Sequence, residues 1–436
     1  MTPRLWRAAV ALVIVALLAA GLTFVRSRSV PRVALRVTGT QSLVCPSQDP
    51  AVLSTTVRGT DTGDVMGRAI ESSTSATVPA AGITGTAQPE VVSGTQAIGG
   101  QSSATAASGD LKGLWLAACS PATIEQAFVG LVVDATHTVS LLITNPDPTQ
   151  ATVDVTFYGA NGRITTQGSR GLTVLGNTTR QLALAPLVSG EGPVTAVVAA
   201  SEGRASTYAR VTGAGGSDWV SASASAATSA TIAAAPGGTG ARNLVVTNTS
   251  DRRTTVSVDV LSASSTFAAA GAEAVAVEAA STVTIPLDAA LRGDVSGLRI
   301  TATQPLVAAL WSTSAEGDLA VSPARPAFQG RSVVPLIPGS VLVASNPGTA
   351  AATLTVILRN EGSMVETQTL TVNPGTALQV PLTTGTAVEL ATDSADLRLS
   401  TLVTTLNGVT GIGVAAWGPG GPGEAEVSPT IDPNLA

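Results

Sequence analysis

The sequence predicts an all-β fold, tandem β-sandwich domains behind a single N-terminal transmembrane helix, and three observations carry that reading. One strand pattern is written three times, as Leu141-Leu142-Ile143-Thr144-Asn145-Pro146, Leu244-Val245-Val246-Thr247-Asn248-Thr249 and Leu342-Val343-Ala344-Ser345-Asn346-Pro347. The anchoring asparagines stand 103 and 98 positions apart, a period of domain size rather than that of a short-repeat solenoid. Charged residues make up 12% of the chain, about half the usual share, and small, β-branched and hydroxyl residues take their place, as suits strands with Thr and Ser on their solvent faces. Finally, Arg4 and Arg7 precede an uncharged run at 8–25, followed by Arg26, Arg28 and Arg32. At about 1.5 Å per residue that run covers roughly 27 Å, enough to span a bilayer.

Taken in order, residues 1–7 read as a cytoplasmic tail and 8–25 as a transmembrane helix or signal anchor. The alternative is a signal peptide cleaved near Ala20, leaving a secreted protein. Either way the bulk is extracytoplasmic. Residues 33–112 read as an N-terminal β-element. Val33, Leu35 and Val37 alternate as on a strand, whereas 71–109 is rich in Ser, Thr, Ala and Gly and reads as a poorly ordered excursion. Its ends would be tied by Cys45 and Cys119, the only two cysteines, which in an exported protein form a structural disulfide.

Repeats follow at 113–217, 218–317 and 318–423, with a tail at 424–436. Each opens on a lead-in: Leu114-Trp115-Leu116, Asp218-Trp219-Val220 and Asp318-Leu319-Ala320, with an echo at Glu424-Ala425-Glu426-Val427-Ser428. The Asn-ended strand and a second alternating strand come next. In units one and three that second strand runs into Ala160-Asn161-Gly162 and Asn360-Glu361-Gly362, turns in which Asn and Gly accept positive φ. A strand, a small-residue turn and a strand then close on Pro186-Leu187, Pro286-Leu287 and Pro381-Leu382, where proline marks an edge or an exit from the sheet. A last hairpin, such as 194–200 with 205–211, completes seven or eight strands per unit.

Val372-Asn373-Pro374-Gly375-Thr376-Ala377-Leu378-Gln379-Val380-Pro381-Leu382 resembles the immunoglobulin-like domains common in bacterial surface proteins. The resemblance implies tandem immunoglobulin-like β-sandwich domains. The layout of tail, apolar segment, cysteine-tied piece and three repeats also resembles an uncharacterised family of exported, membrane-anchored proteins of high-GC actinobacteria, whose function is itself unknown. A β-propeller is the alternative architecture, although no half-period echo accompanies the long repeat.

Composition excludes some functions. A net charge of −6 and a single lysine, Lys112, leave no basic field for nucleic acid. The one histidine, His137, stands near Asp134 without a nucleophile motif and reads as a strand or turn residue. No catalytic, cofactor-binding or metal-binding residue is expected. The pairs Asp61/Asp64 and Asp393/Asp396 read as solvated turn acids, since they lack the ligand spacing of a calcium loop. Trp115, Trp219, Trp311 and Trp417 recur at unit ends, where indoles fill junctions; the alternative reading makes them ligand-stacking platforms for sugars. Asn177-Thr178-Thr179 and Asn248-Thr249-Ser250 match the glycosylation pattern but serve turns. The expected function is non-enzymatic: a structural, adhesion or scaffold protein of the bacterial cell envelope, held by its N-terminal helix, with envelope proteins or glycans as partners. The alternative is a glycan-binding module associated with cell-wall polysaccharide assembly.

Overall fold

The computed structural model describes residues 41–46, 53–59, 65–78, 83–84, 88–94, 98–213, 216–360 and 363–418. The expected tail 1–7, transmembrane segment 8–25 and C-terminal tail 424–436 lie outside them. Within them the chain is all-β, a tandem array of immunoglobulin-like sandwiches; the one described helix is the single turn Ala185–Val188.

The second unit shows the plan. Its strands are Glu125–Val132, His137–Asn145, Ala151–Gly159, a fourth position split into Gly162–Ile164 and Leu172–Val174, then Thr178–Ala183, Pro193–Glu202, Ser206–Gly213 and Asp218–Val220. One sheet joins positions four, three, six and one, and the other joins five, two, seven and eight. Burial alternates residue by residue along Ala151–Gly159, because only one face of that sheet meets the core.

The same two orders recur at Ala227–Ala235 through Leu319–Pro323 and at Gly330–Pro335 through Val409–Trp417. In the former, positions six and seven fuse into one strand, Ser296–Thr313, that serves both sheets. The expected hairpin at 194–211 is a crossover instead. Pro193–Glu202 pairs with Ala151–Gly159, whereas Ser206–Gly213 pairs with His137–Asn145 in the opposite sheet.

The N-terminal β-element is a fourth copy of this unit. Gln41–Cys45, Glu90–Gly94, Met66–Ala69 and Ala76–Thr77 form the one-six-three-four sheet, and Ile83–Thr84, Leu53–Gly59, Ile98–Ala106 and Gly113–Ala118 the five-two-seven-eight sheet. The expected loose excursion at 71–109 therefore contributes an interior strand to each sheet. Its small residues serve close approach. A Cβ on Gly99 would collide with the Val333 carbonyl oxygen, and one on Gly100 would stand 2.7 Å from Cys119 Sγ.

Unit boundaries move accordingly. Each lead-in is the eighth strand of the preceding unit: Gly113–Ala118 pairs with Ile98–Ala106, Asp218–Val220 with Ser206–Gly213, and Leu319–Pro323 with Ser296–Thr313. The last unit's equivalent is Val409–Trp417, in a hairpin with Arg398–Leu406; the echo at Glu424 lies outside the described residues.

The signature asparagines are buried and bonded alike. Nδ2 of Asn145, Asn248 and Asn346 donates to the carbonyl four residues on (Thr149, Arg252, Ala350) at 2.7, 2.6 and 2.8 Å. It also reaches the end of the fourth position, at Val174, Glu278 and Val372. Each Oδ1 accepts the amide two residues on. One side chain thus shapes the loop after the second strand and clamps it to the opposite sheet. The crossover it grips turns on Asn177, Ala280 and Gly375, all at positive φ.

Units one to four close into a ring, with each unit's two-seven face packed on the first strand of its predecessor. Tyr208 of unit two places its hydroxyl 3.0 Å from the Val44 carbonyl of unit one. Trp311 of unit three donates Nε1 to Val129 O of unit two at 2.8 Å. Ser345 of unit four donates to Ala233 O of unit three at 2.8 Å. Gln101 of unit one closes the circuit on Pro335 O of unit four at 3.1 Å. Closure is the feature shared with the propeller alternative, but the repeating element is a two-sheet sandwich with its core between its own sheets.

Candidate functional site

The eighth strands meet at the centre of the ring and form its hub. Gly113–Ala118 is buried along its whole length. Leu114, Leu116 and Ala118 enter the core of unit four beside Leu399, Ala415 and Trp417, while Trp115 and Ala117 face Tyr208 and Trp219 of unit two. Strand alternation thereby makes one segment part of two neighbouring cores.

Two buried carboxylates tie the hub strands together. Asp218 opens the eighth strand of unit two, and its oxygens accept the amides of Trp219 at 2.8 Å, Leu116 of unit one at 3.4 Å and Val321 of unit three at 3.4 Å. Asp318, just ahead of the corresponding strand in unit three, accepts Ile412 N of unit four at 2.7 Å and Leu114 N of unit one at 3.2 Å. Burial drives the Asp218 carboxyl well above the usual carboxylate range; the nearby Asp318 adds to the rise and the amides oppose it. Burial likewise pushes Asp318 up to about 6, against the pull of its amides and of Lys112. The lone lysine lies at the hub's rim, donating Nζ to Glu316 O at 3.1 Å.

The tryptophans belong to this packing. Trp115, Trp219 and Trp417 are 5%, 2% and 5% exposed, and the first two meet edge to face with centroids 5.2 Å apart. Trp115 Nε1 donates to Leu111 O and Trp417 Nε1 to Thr401 Oγ1. Trp311 is half-buried at the junction of units two and three. The stacking alternative needs open indole faces, and packing has closed those of Trp115, Trp219 and Trp417.

The Cys45–Cys119 disulfide is formed. It joins the first strand of unit one to the segment leaving its eighth strand, beside the bridge between Val44 and Ser120. Unit two makes the corresponding return without a cysteine, through the bridge between Ala127 and Ser223.

His137 sits away from the hub. Its Nδ1 lies 3.0 Å from Asp134 Oδ1, which also accepts the amides of Thr136 and His137 and the Thr136 hydroxyl. The Thr136 bonds, foremost among these, lower the Asp134 carboxyl to about 2. The group is a turn clamp at the rim of a cleft of about 250 Å³ between units two and three, lined by Val132, Val211, Val245, Trp311 and Leu319. Asp393 and Asp396 are exposed; Asp61 and Asp64 lie outside the described residues. Among the described residues no group of three or more His, Cys, Asp or Glu is placed to hold a metal, and no helix is long and apolar enough to cross a membrane. Asn248 is fully buried, and the Asn177 side chain accepts Arg68 of unit one at 2.7 Å.

Sequence reasoning missed Asp218 and Asp318 as hub residues. A recurring Asp at the lead-ins was visible, but an acid at a strand end reads as a solvated turn until a neighbour is known to cover it.

The solved structures similar to this chain include the full-length RrgB pilus protein of Streptococcus pneumoniae, at 12% identity over 67% of this chain, with a TM-score of 0.13. The chain spans 63% of that protein's length. A tetra-tandem repeat from the extending region of a large adhesion protein is 13% identical over 85% of this chain and 92% of its own, with a TM-score of 0.12. Neither likeness bears on the arrangement of the units at such scores. No curated protein matches the sequence. Residues 65–383, from unit one into unit four, match DUF5719; the chain belongs to this family of unknown function.

Proposed function

We propose that this protein is a non-enzymatic, extracytoplasmic scaffold of the bacterial cell envelope, tethered by the apolar segment 8–25, with an actinobacterial envelope as its setting. The observation that carries the reading is ring closure through Gln101 and Pro335. Tandem sandwiches that serve as spacers touch only serial neighbours, whereas here the first unit packs on the last. A closed ring presents many loops at fixed angles on a rigid body, which suits a platform for assembling partners better than a stalk. The hub's buried side chains are spent on holding the units together. The glycan-binding alternative is disfavoured by the closed faces of Trp115, Trp219 and Trp417.

The test is cross-linking in native membranes with the full chain and with a Gly99→Ala variant whose added Cβ blocks closure on Val333. Envelope proteins cross-linked at defined ring surfaces, and lost when the ring opens, would support the scaffold. Recovery of polysaccharide alone would shift the assignment to glycan binding, and equal recovery by both chains would overturn a role for the ring.

A further inference from the structure

The outer edge of unit four differs from that of its three copies. At the fourth position the other units carry short pieces: Ala76–Thr77 in unit one, Gly162–Ile164 and Leu172–Val174 in unit two, Thr266–Ala268 and Val275–Val277 in unit three. Unit four carries a ten-residue strand, Ser363–Val372. It is the edge of its sheet, pairing on one side with Ala352–Asn360. Met364 and Val365 are 62% and 55% exposed, the largest apolar exposures near any described edge of that unit. Proteins of this class blunt such edges by shortening them, adding charge or inserting proline. The first device operates in units one to three and is absent here; the strand contains no proline, and its one bulge, at Val365, lies near its start and leaves 366–372 in regular pairing.

We infer that this edge pairs antiparallel with the same strand of a second copy of the chain. The sequence of the strand favours a copy of itself. Its only charge is Glu366. A two-fold register centred on Gln368 sets Thr367 opposite Thr369 of the copy and Glu366 opposite Leu370. The two Glu366 positions then stand four residues apart along the strand, roughly 14 Å, beyond the screening length of about 8 Å at physiological salt. Threonine facing threonine is a favourable cross-strand pair. In the same register Met364 stands opposite Val372 of the copy and Val365 opposite Thr371, so the exposed apolar pair at the start of one strand meets the uncharged end of the other. The inference stands on the edge strand alone and does not depend on the scaffold reading.

Because the native cysteines are joined, a single new thiol reports on this contact in the full-length chain in its membrane. Cysteine is placed by Gln368→Cys, at the self-opposed position, and by Gln167→Cys, on the exposed loop at the corresponding edge of unit two. After mild oxidation Gln368→Cys is expected to give several-fold more disulfide-linked dimer than Gln167→Cys. Adding Thr367→Lys and Thr369→Lys, which leave the chain's own pairing intact, should abolish the excess while thermal unfolding stays unchanged. Dimer no greater than in Gln167→Cys, or dimer that survives the two lysines, would overturn the inference.

Discussion

Gln101 of the first unit donates Nε2 to the carbonyl of Pro335 in the fourth, at 3.1 Å and across 234 positions of sequence. The bond reaches a first-strand carbonyl from the seventh strand, as Tyr208 and Trp311 do at the interfaces of units one with two and two with three, so the end of the array is built like its interior. Closure buries one more interface than a linear array of four would have, and leaves no terminal unit to be capped.

Gly99→Ala is the sharpest probe of that closure. Its Cβ would fall on the Val333 carbonyl, backbone against backbone, with no flexible side chain to yield. A loss of more than about 2 kcal/mol is expected. Hydrogen exchange should rise in units one and four and stay unchanged at the junction of units two and three. Uniform exchange would mean the first and last units do not meet in solution.

Reducing Cys45–Cys119 reopens a loop spanning a sequence separation of 74, worth about 4 kcal/mol in the chain-entropy account. Among the described residues the core of unit one gathers Leu43, Val65, Val92 and Ile98 around the disulfide itself. Its unfolding transition should therefore move to lower denaturant on reduction, well ahead of the other three. Coincident transitions with and without reductant would contradict this.

Asn346→Ala removes donors to Ala350 and Val372 and the acceptor for Gly348. Leaving those buried groups unpaired should cost about 2–4 kcal/mol, with similar losses for Asn145→Ala and Asn248→Ala. Ala280 should respond the other way. It holds φ at 53°, where a Cβ is strained, so Ala280→Gly should gain about 0.5–1 kcal/mol in urea unfolding.

Asp318 predicts a pH dependence. Its folded carboxyl titrates at about 6, against about 3.9 in the unfolded chain. Between those values the folded state binds more protons, so stability is full below about pH 4, falls as pH rises through 6, and levels off above. The total change from this group is on the order of 2–3 kcal/mol. Asp218, raised for the same reason, adds a slope of the same sign, so unfolding titrations of Asp318→Asn should lose part of the slope and keep the share of Asp218, and an unchanged slope would assign it elsewhere.

The repeat period, the Asn-ended strands and the disulfide were legible because each depends on residues close in sequence or, for the cysteines, on there being one possible pair. Unit one was not. Its second strand ends Val57-Arg58-Gly59 without the signature asparagine, and its seventh strand runs through Gly99-Gly100-Gln101-Ser102-Ser103-Ala104, mostly small residues, where unit four presses on Gly99. Small residues chosen for close approach look the same, in a sequence, as small residues of a loop.

By itself, then, the sequence determined the strand content, the sandwich-sized repeat and the turn chemistry, all set by alternation and by positive-φ residues within a few positions. Tertiary structure decided that there are four units, that each lead-in closes the unit before it, and that the array is a ring. These depend on which surface covers each strand. Trp115, Asp218 and Asp318 read as exposed or buried according to neighbours about a hundred or more positions away, and no local pattern encodes that.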